Sequence, residues 1–86
     1  MYKIIFSKQA SKDKAMLKRS GLDKKAKAIL VSMQEDPFYF PPPYEALRGN
    51  LDGLYSRRIN IQHRIVYEVF EDIKTVRIIR MWTHYE

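Results

Sequence analysis

The stretch LYSRRINIQHRIVYEVFEDIKTVRIIRMWT, residues 54–83, decides the fold of this chain. It contains three runs rich in β-branched and aromatic residues, at residues 54–59, 63–70 and 76–83, with short polar connections between them. Residues of these types favour strands, and short connections favour antiparallel hairpins. The stretch therefore predicts a three-strand antiparallel meander.

The residues before the meander predict one short strand and two helices. Residues 2–6 read YKIIF, a strand-like run, and Ser7 then serves as the N-cap of a helix from about residue 8 to residue 19, closed by Ser20-Gly21. A second helix, from about residue 23 to residue 35, has apolar residues at i, i+3, i+4 and i+7 and ends at Asp36-Pro37. This order predicts a single α+β domain over residues 1–86, with both helices packed on one face of the sheet.

The segment FYFPPPYEALRGNLDG, residues 38–53, is predicted to be the only long irregular part of the chain. Its three consecutive prolines favour a stiff, extended conformation. Rigid loops beside a scaffold often carry functional residues, so this segment is a candidate to hold part of a site.

The composition restricts the classes of function. The chain has no cysteine and two histidines, which excludes disulfides and argues against a zinc site, so we expect no metal and no cofactor. No apolar run reaches the roughly 18 residues that a membrane span needs, and the start lacks a signal-peptide profile, so we expect a cytoplasmic protein that contacts no membrane. The net charge of +6, from 16 basic and 10 acidic residues, favours a polyanionic partner.

The residues available for chemistry favour metal-independent cleavage of RNA over other reactions. No glycine-rich phosphate loop, HExxH or GxSxG motif is present. The remaining groups are Glu45, several arginines, His84 and tyrosines, a set that can activate a ribose 2′-hydroxyl, stabilise a phosphate and protonate a leaving oxygen. Alternation along the strands places Arg57 and Arg58 on opposite faces but leaves open which face the helices cover.

The run EALRGNLDGLYSRRINIQHRIVY, residues 45–67, with the near-terminal His-Tyr pair, resembles the Txe/YoeB family of bacterial toxins, within the RelE/ParE superfamily. The resemblance covers residues 36–38 and most of residues 45–85, while the first 35 residues match only in element order. It implies a microbial-RNase-like fold and a ribosome-dependent endoribonuclease that cleaves mRNA in the A site of the 30S subunit. It also implies a YefM-like antitoxin as the inhibitory partner, and a homodimer.

The same resemblance implies roles for individual residues. Glu45 corresponds to the general base, Arg64 to the arginine that stabilises the phosphate, His84 to the general acid, and Tyr85 to a tyrosine that orients the substrate or supports the acid. The basic positions that hold RNA are Arg48, Arg57 and Arg58. Glu86 departs from the pattern, because the His-Tyr pair usually ends the chain.

Several alternatives remain open at this stage. Arg64 could pair with Glu68, its same-face neighbour four residues later, and His63 and Trp82 are predicted to be structural. The main alternative function is a non-catalytic toxin that binds DNA gyrase in the manner of ParE, for which Glu45 and the His-Tyr end would serve no purpose. A plain RNA-binding module ranks third.

Overall fold

One five-stranded sheet organises the computed structural model, which describes residues 1–41 and 43–82. Its elements are β1 (Lys3–Phe6), α1 (Lys8–Ser20), α2 (Asp23–Glu35), β2 (Tyr44–Ala46), β3 (Tyr55–Arg58), β4 (Arg64–Phe70) and β5 (Thr75–Arg80). The strands lie in the order β1-β5-β4-β3-β2, with β1 parallel to β5 and the other neighbours antiparallel. Within the described residues, no helix has the length and apolar character needed to cross a membrane.

The predicted α+β fold is confirmed, and the predicted meander corresponds to β3, β4 and β5. The segment predicted to be irregular contains the strand β2 and a short 3-10 helix, Gly49–Leu51. Glu45 therefore lies on an edge strand, where it pairs with Ser56, and not on a loop. Three residues are too few to show an alternating pattern, so the sequence alone does not predict this strand.

Local signals determine the helix ends. The Ser7 hydroxyl accepts a hydrogen bond from the amide of Ala10, as an N-cap should. Gly21 adopts a left-handed conformation with φ of 79°, which lets its amide reach the last carbonyls of α1. Asp36 ends α2 in an extended conformation directly before Pro37. Both helices therefore end where the sequence predicts.

The hydrophobic core lies between the two helices and one face of the sheet. Its buried residues come from α1, α2, β4, β5 and the chain next to β3 and β5: Ala10, Leu17, Ala26, Met33, Ile59, Ile65, Tyr67, Val76, Ile78 and Met81. The helices cover the face that carries Ile65 and Tyr67, so the face that carries Arg64 is left open. Strand alternation alone does not show which face the helices cover, and the structure shows that it is the face opposite Arg64.

A β-bulge in β5 changes the direction of the last side chains. Tyr67 pairs with Ile78, but Val66 pairs with Arg80, so Ile79 is an extra residue. Simple alternation predicts opposite faces for Ile78 and Met81, and this prediction is wrong because the bulge returns Met81 to the core. The hydroxyl of Ser7 donates a 2.7 Å hydrogen bond to the carbonyl of Ile79.

The buried carboxylate of Asp13 on α1 holds the end of β5. Its Oδ2 accepts hydrogen bonds from the amides of Met81, at 2.9 Å, and Trp82, at 3.2 Å, and from Nε of Arg80, at 3.3 Å. The side chain of Gln9 donates to its Oδ1. Burial raises the pKa of Asp13, but the hydrogen bonds outweigh burial, and the net pKa is lower than usual.

We expect Asp13→Ala to lower the free energy of unfolding at pH 7 by about 1–3 kcal/mol, because the amides of Met81 and Trp82 lose this buried acceptor. A lowered folded-state pKa gives stability that is present above the unfolded value near 4 and is lost as the pH falls through the folded value. The difference between wild type and variant should therefore shrink below about pH 4. Urea denaturation at pH 7 and pH 3 measures it, and an equal difference at both would contradict the role of the carboxylate.

Candidate active site

Register across three strands brings the predicted site residues together on the open face. Glu45 pairs with Ser56, Ser56 pairs with Val66, and Arg58 pairs with Arg64. Residues that pair across neighbouring strands point to the same face of a sheet. Glu45, Ser56, Arg58 and Arg64 therefore lie side by side, although residues 45 and 64 are far apart in the chain.

Arg64 joins this cluster through two contacts. Its Nη1 forms an ion pair with Oε1 of Glu45 and donates a 3.2 Å hydrogen bond to the hydroxyl of Ser56. The side chain of Arg64 is only 17% exposed, whereas that of Glu45 is 61% exposed. The arginine is therefore held by the protein, and the carboxylate is open to a ligand from solvent.

A cavity of about 330 Å³ lies over this cluster, lined by Pro43, Glu45, Ser56, Arg58 and Arg64. It combines two guanidinium groups with one carboxylate, so its formal charge is positive. Guanidinium groups bind phosphate oxygens well, and an adjacent carboxylate can accept a proton from a hydroxyl. The arrangement is suited to a phosphodiester next to a hydroxyl group.

Arg64 pairs with Glu45 and not with Glu68, the alternative partner considered from the sequence. Glu68 instead forms an ion pair with Arg77 at 3.2 Å, across β4 and β5 on the open face. Arg64 is oriented toward β3 and β2, and its charge is directed to the cavity. Ser56 was not singled out from the sequence, although its position two residues before Arg58 places both on the same face.

Arg57 lies on the other face of β3, where it is 1% exposed. Its Nη2 donates hydrogen bonds to the carbonyls of Pro37, at 3.0 Å, and Tyr39, at 2.5 Å, and its guanidinium lies 5.1 Å from the centre of the Tyr44 ring. These contacts leave it directed away from the cavity, so of the predicted RNA-binding residues Arg57 is not brought together with Arg58. It attaches the proline-rich segment to the sheet.

Tyr67 supports the same attachment. Its hydroxyl donates a 2.8 Å hydrogen bond to the carbonyl of Pro37, beside the one from Arg57. Burial raises the pKa of Tyr67 to about 12, so the phenol stays protonated and remains a donor at neutral pH. Two buried donors thus hold one carbonyl just before the segment that leads to Glu45.

Among the other predicted residues, the structure describes only Arg48, which lies outside this cluster. Arg48 is exposed, directly before the 3-10 helix Gly49–Leu51, and does not line the cavity. His84 and Tyr85 fall outside the described residues. Near them in the chain, Trp82 stacks on the buried ring of His63, with centroids 3.8 Å apart and planes 19° apart.

Sequence comparison relates the chain to one group of toxins. The family model described as "YoeB-like toxin of bacterial type II toxin-antitoxin system" matches residues 6–85. The chain is 40% identical over 74 residues to Toxin YoeB of Synechocystis sp., which covers 86% of this chain and 77% of that protein. The match to Toxin YoeB of Escherichia coli K12, 39% identical over 49 residues, covers 57% of this chain and little more than half, 58%, of that relative.

Structural comparison gives a match over nearly the whole length. The fold superimposes on a chain of the YoeB-YefM complex from Staphylococcus aureus with a TM-score of 0.82 and 33% identity, covering 99% of each chain. A structure of the YoeB dimer from the same organism gives a TM-score of 0.81 at 33% identity, with 98% of each chain covered. The two comparisons thus relate both the sequence and the tertiary fold to the same group.

Neighbouring arginines should differ sharply in their contribution to stability. We expect Arg57→Ala to lower the free energy of unfolding by about 1–3 kcal/mol, because the carbonyl of Tyr39 loses the arginine donor and that of Pro37 keeps only the one from Tyr67. Arg58→Ala, the matched control on the exposed face, should change it by about 0.5 kcal/mol or less. Chemical denaturation of both variants measures this, and equal effects would contradict the anchoring role of Arg57.

Proposed function

Because the chain belongs to the YoeB-like toxins of bacterial type II toxin–antitoxin systems, we propose that it is a ribosome-dependent endoribonuclease. It cleaves mRNA in the ribosomal A site without a metal or other cofactor, and the cleavage inhibits translation. The observation that carries this proposal is the ion pair between Glu45 and Arg64 on the open face, beside Ser56 and Arg58. A base next to phosphate-binding arginines is what cleavage of RNA requires.

Glu45 begins the reaction as general base. Its exposed carboxylate accepts the proton of a ribose 2′-hydroxyl, and the 2′-oxygen attacks the adjacent phosphorus atom. DNA has no such hydroxyl, so the same residues would not cleave it. For this step the substrate separates the exposed carboxylate of Glu45 from Arg64, and a phosphate oxygen takes the place of Glu45 as the partner of the arginine.

Arg64 stabilises the negative charge that builds on the phosphate oxygens during attack. The contact with Ser56 and the low exposure of its side chain hold the guanidinium in place before the substrate arrives. A donor that is already oriented loses little free energy to reorganisation during the reaction. Arg58, at the side of the same cavity, adds a second contact to phosphate.

His84 completes the cleavage as general acid. It gives a proton to the departing 5′-oxygen as the phosphorus–oxygen bond breaks, which leaves a 2′,3′-cyclic phosphate and a 5′-hydroxyl. Tyr85 orients the substrate or supports the acid. Arg48, which is exposed outside the cavity, contacts RNA of the message or the ribosome, whereas we assign Arg57 the structural role given above.

We also propose that the partner of the chain is a cognate YefM-like antitoxin. The support is the similarity to the toxin in the YoeB-YefM complex from Staphylococcus aureus. Similarity to the YoeB dimer from that organism supports a homodimer of the free toxin. In the cell we expect the chain to act in the cytoplasm, where ribosomes and mRNA are found.

The test is a bacterial cell-free translation reaction with a defined mRNA, in which primer extension maps the cuts. Wild type should cut at A-site codons only when ribosomes are present. We expect Glu45→Ala and His84→Ala to lower the cleavage rate by about 10²–10⁴-fold, and Arg64→Ala by about 10²–10³-fold. Glu68→Ala, which removes a carboxylate from the same face outside the cavity, is the control and should cut normally.

Normal cleavage by both Arg64→Ala and His84→Ala would contradict the assignment of these roles. Intact mRNA in the presence of wild type would contradict the enzyme itself. In that case a gyrase supercoiling assay tests the alternative, a non-catalytic ParE-like toxin that binds DNA gyrase.

A further inference from the structure

The C-terminal end of β5 is held on two sides by groups that have no part in the proposed chemistry. From one side, the Asp13 carboxylate accepts hydrogen bonds from two successive amides, those of Met81 and Trp82. From the other side, the ring of His63 stacks on the indole of Trp82 at 3.8 Å. We call this pair of contacts, Asp13 with the two amides and His63 with the indole, the Trp82 clamp.

Both sides of the Trp82 clamp are themselves fixed. Asp13 is 3% exposed on α1, where Gln9 donates a 3.0 Å hydrogen bond to its second oxygen. His63 is also 3% exposed, and its amide donates a 2.7 Å hydrogen bond to the side-chain oxygen of Asn60 in the turn between β3 and β4. The clamp therefore joins the helical layer to the turn that directly precedes Arg64.

The Trp82 clamp lies close in the chain to both halves of the proposed site. His63 is the residue before Arg64, and His84 follows Trp82 by two residues. Two residues of chain span at most about 7 Å. The position at which the chain leaves the clamp therefore limits the region that His84 can reach.

We propose that Asp13 and His63 are positioning residues, which fix Trp82 and so fix the point from which the chain continues to His84, the proposed general acid. The inference rests on the proposed function, because it takes His84 as the general acid. Holding an acid near its target removes much of the entropic cost of the reaction. We therefore expect loss of the clamp to slow the chemical step and to leave substrate binding nearly unchanged.

The chain contains a single tryptophan, so its fluorescence reports on Trp82 alone. This signal is independent of ribosomes and of cleavage. In Asp13→Ala and in His63→Ala we expect a shift of the emission maximum to longer wavelength. The backbone amide of Trp82 loses its acceptor in the first variant, the indole loses its stacking partner in the second, and in both the indole becomes more exposed to water. Hydrogen exchange of the Met81 and Trp82 amides should be faster in Asp13→Ala.

The same two variants are then assayed for ribosome-dependent cleavage. We expect kcat to fall by about 10²-fold, as for a misplaced catalytic group, while KM changes by about twofold or less. Met33→Ala is the control, because Met33 is buried on α2 in the core and takes no part in the clamp. It should lower stability and leave both the Trp82 emission and kcat close to wild type at a temperature at which every variant is folded.

The outcomes separate this inference from the proposed function. A shifted Trp82 emission with an unchanged kcat would overturn the positioning role and leave the proposed nuclease activity standing. Unchanged emission in both clamp variants would have the same consequence. A fall in kcat as large in Met33→Ala as in Asp13→Ala would also overturn it, since the loss would then follow stability alone. No cleavage by wild type would overturn the proposed function, and with it the role of the clamp in catalysis.

Discussion

The buried guanidinium of Arg57 is the constraint on which the position of the site depends. A charged group can be buried only when it has partners, and here the carbonyls of Pro37 and Tyr39 serve as acceptors. Their hydrogen bonds fix the start of the proline-rich segment against β3. The segment then returns along the edge of the same strand, and its residue Glu45 comes to lie opposite Ser56.

Alternation along β3 gives adjacent arginines different tasks. Arg57 points into the protein and holds the segment that carries Glu45, while Arg58 points to the open face and lines the cavity. One short strand thus holds the segment that carries Glu45, through Arg57, and contributes a positive charge to the cavity, through Arg58. The ion pair between Arg64 and Glu45 then closes the cluster across β4, β3 and β2.

The first third of the chain controls the end of the last strand. β1 pairs with β5 in parallel, and Ser7 donates a hydrogen bond to the carbonyl of the bulge residue Ile79. Asp13 accepts hydrogen bonds from the amides of Met81 and Trp82. The sequence motif around Arg64 lies in residues 45–67, yet α1 supplies the carboxylate that holds Trp82. A helix outside the motif therefore fixes the end of the last strand.

The sequence by itself determined the features that depend on neighbouring residues. Ser7, Gly21 and Asp36-Pro37 set the helix ends, because caps and proline act within a few residues, and the three apolar runs of residues 54–83 set the meander. The motif around Arg64 indicated the family for the same reason.

Only the tertiary structure decided the pairing of β2, the bulge in β5, the burial of Arg57 and not Arg58, and the contact between Glu45 and Arg64. These features arise from residues that are distant in the chain. The packing of the helices sets which face of the sheet is covered and which strands are neighbours. The local sequence pattern does not predict either feature.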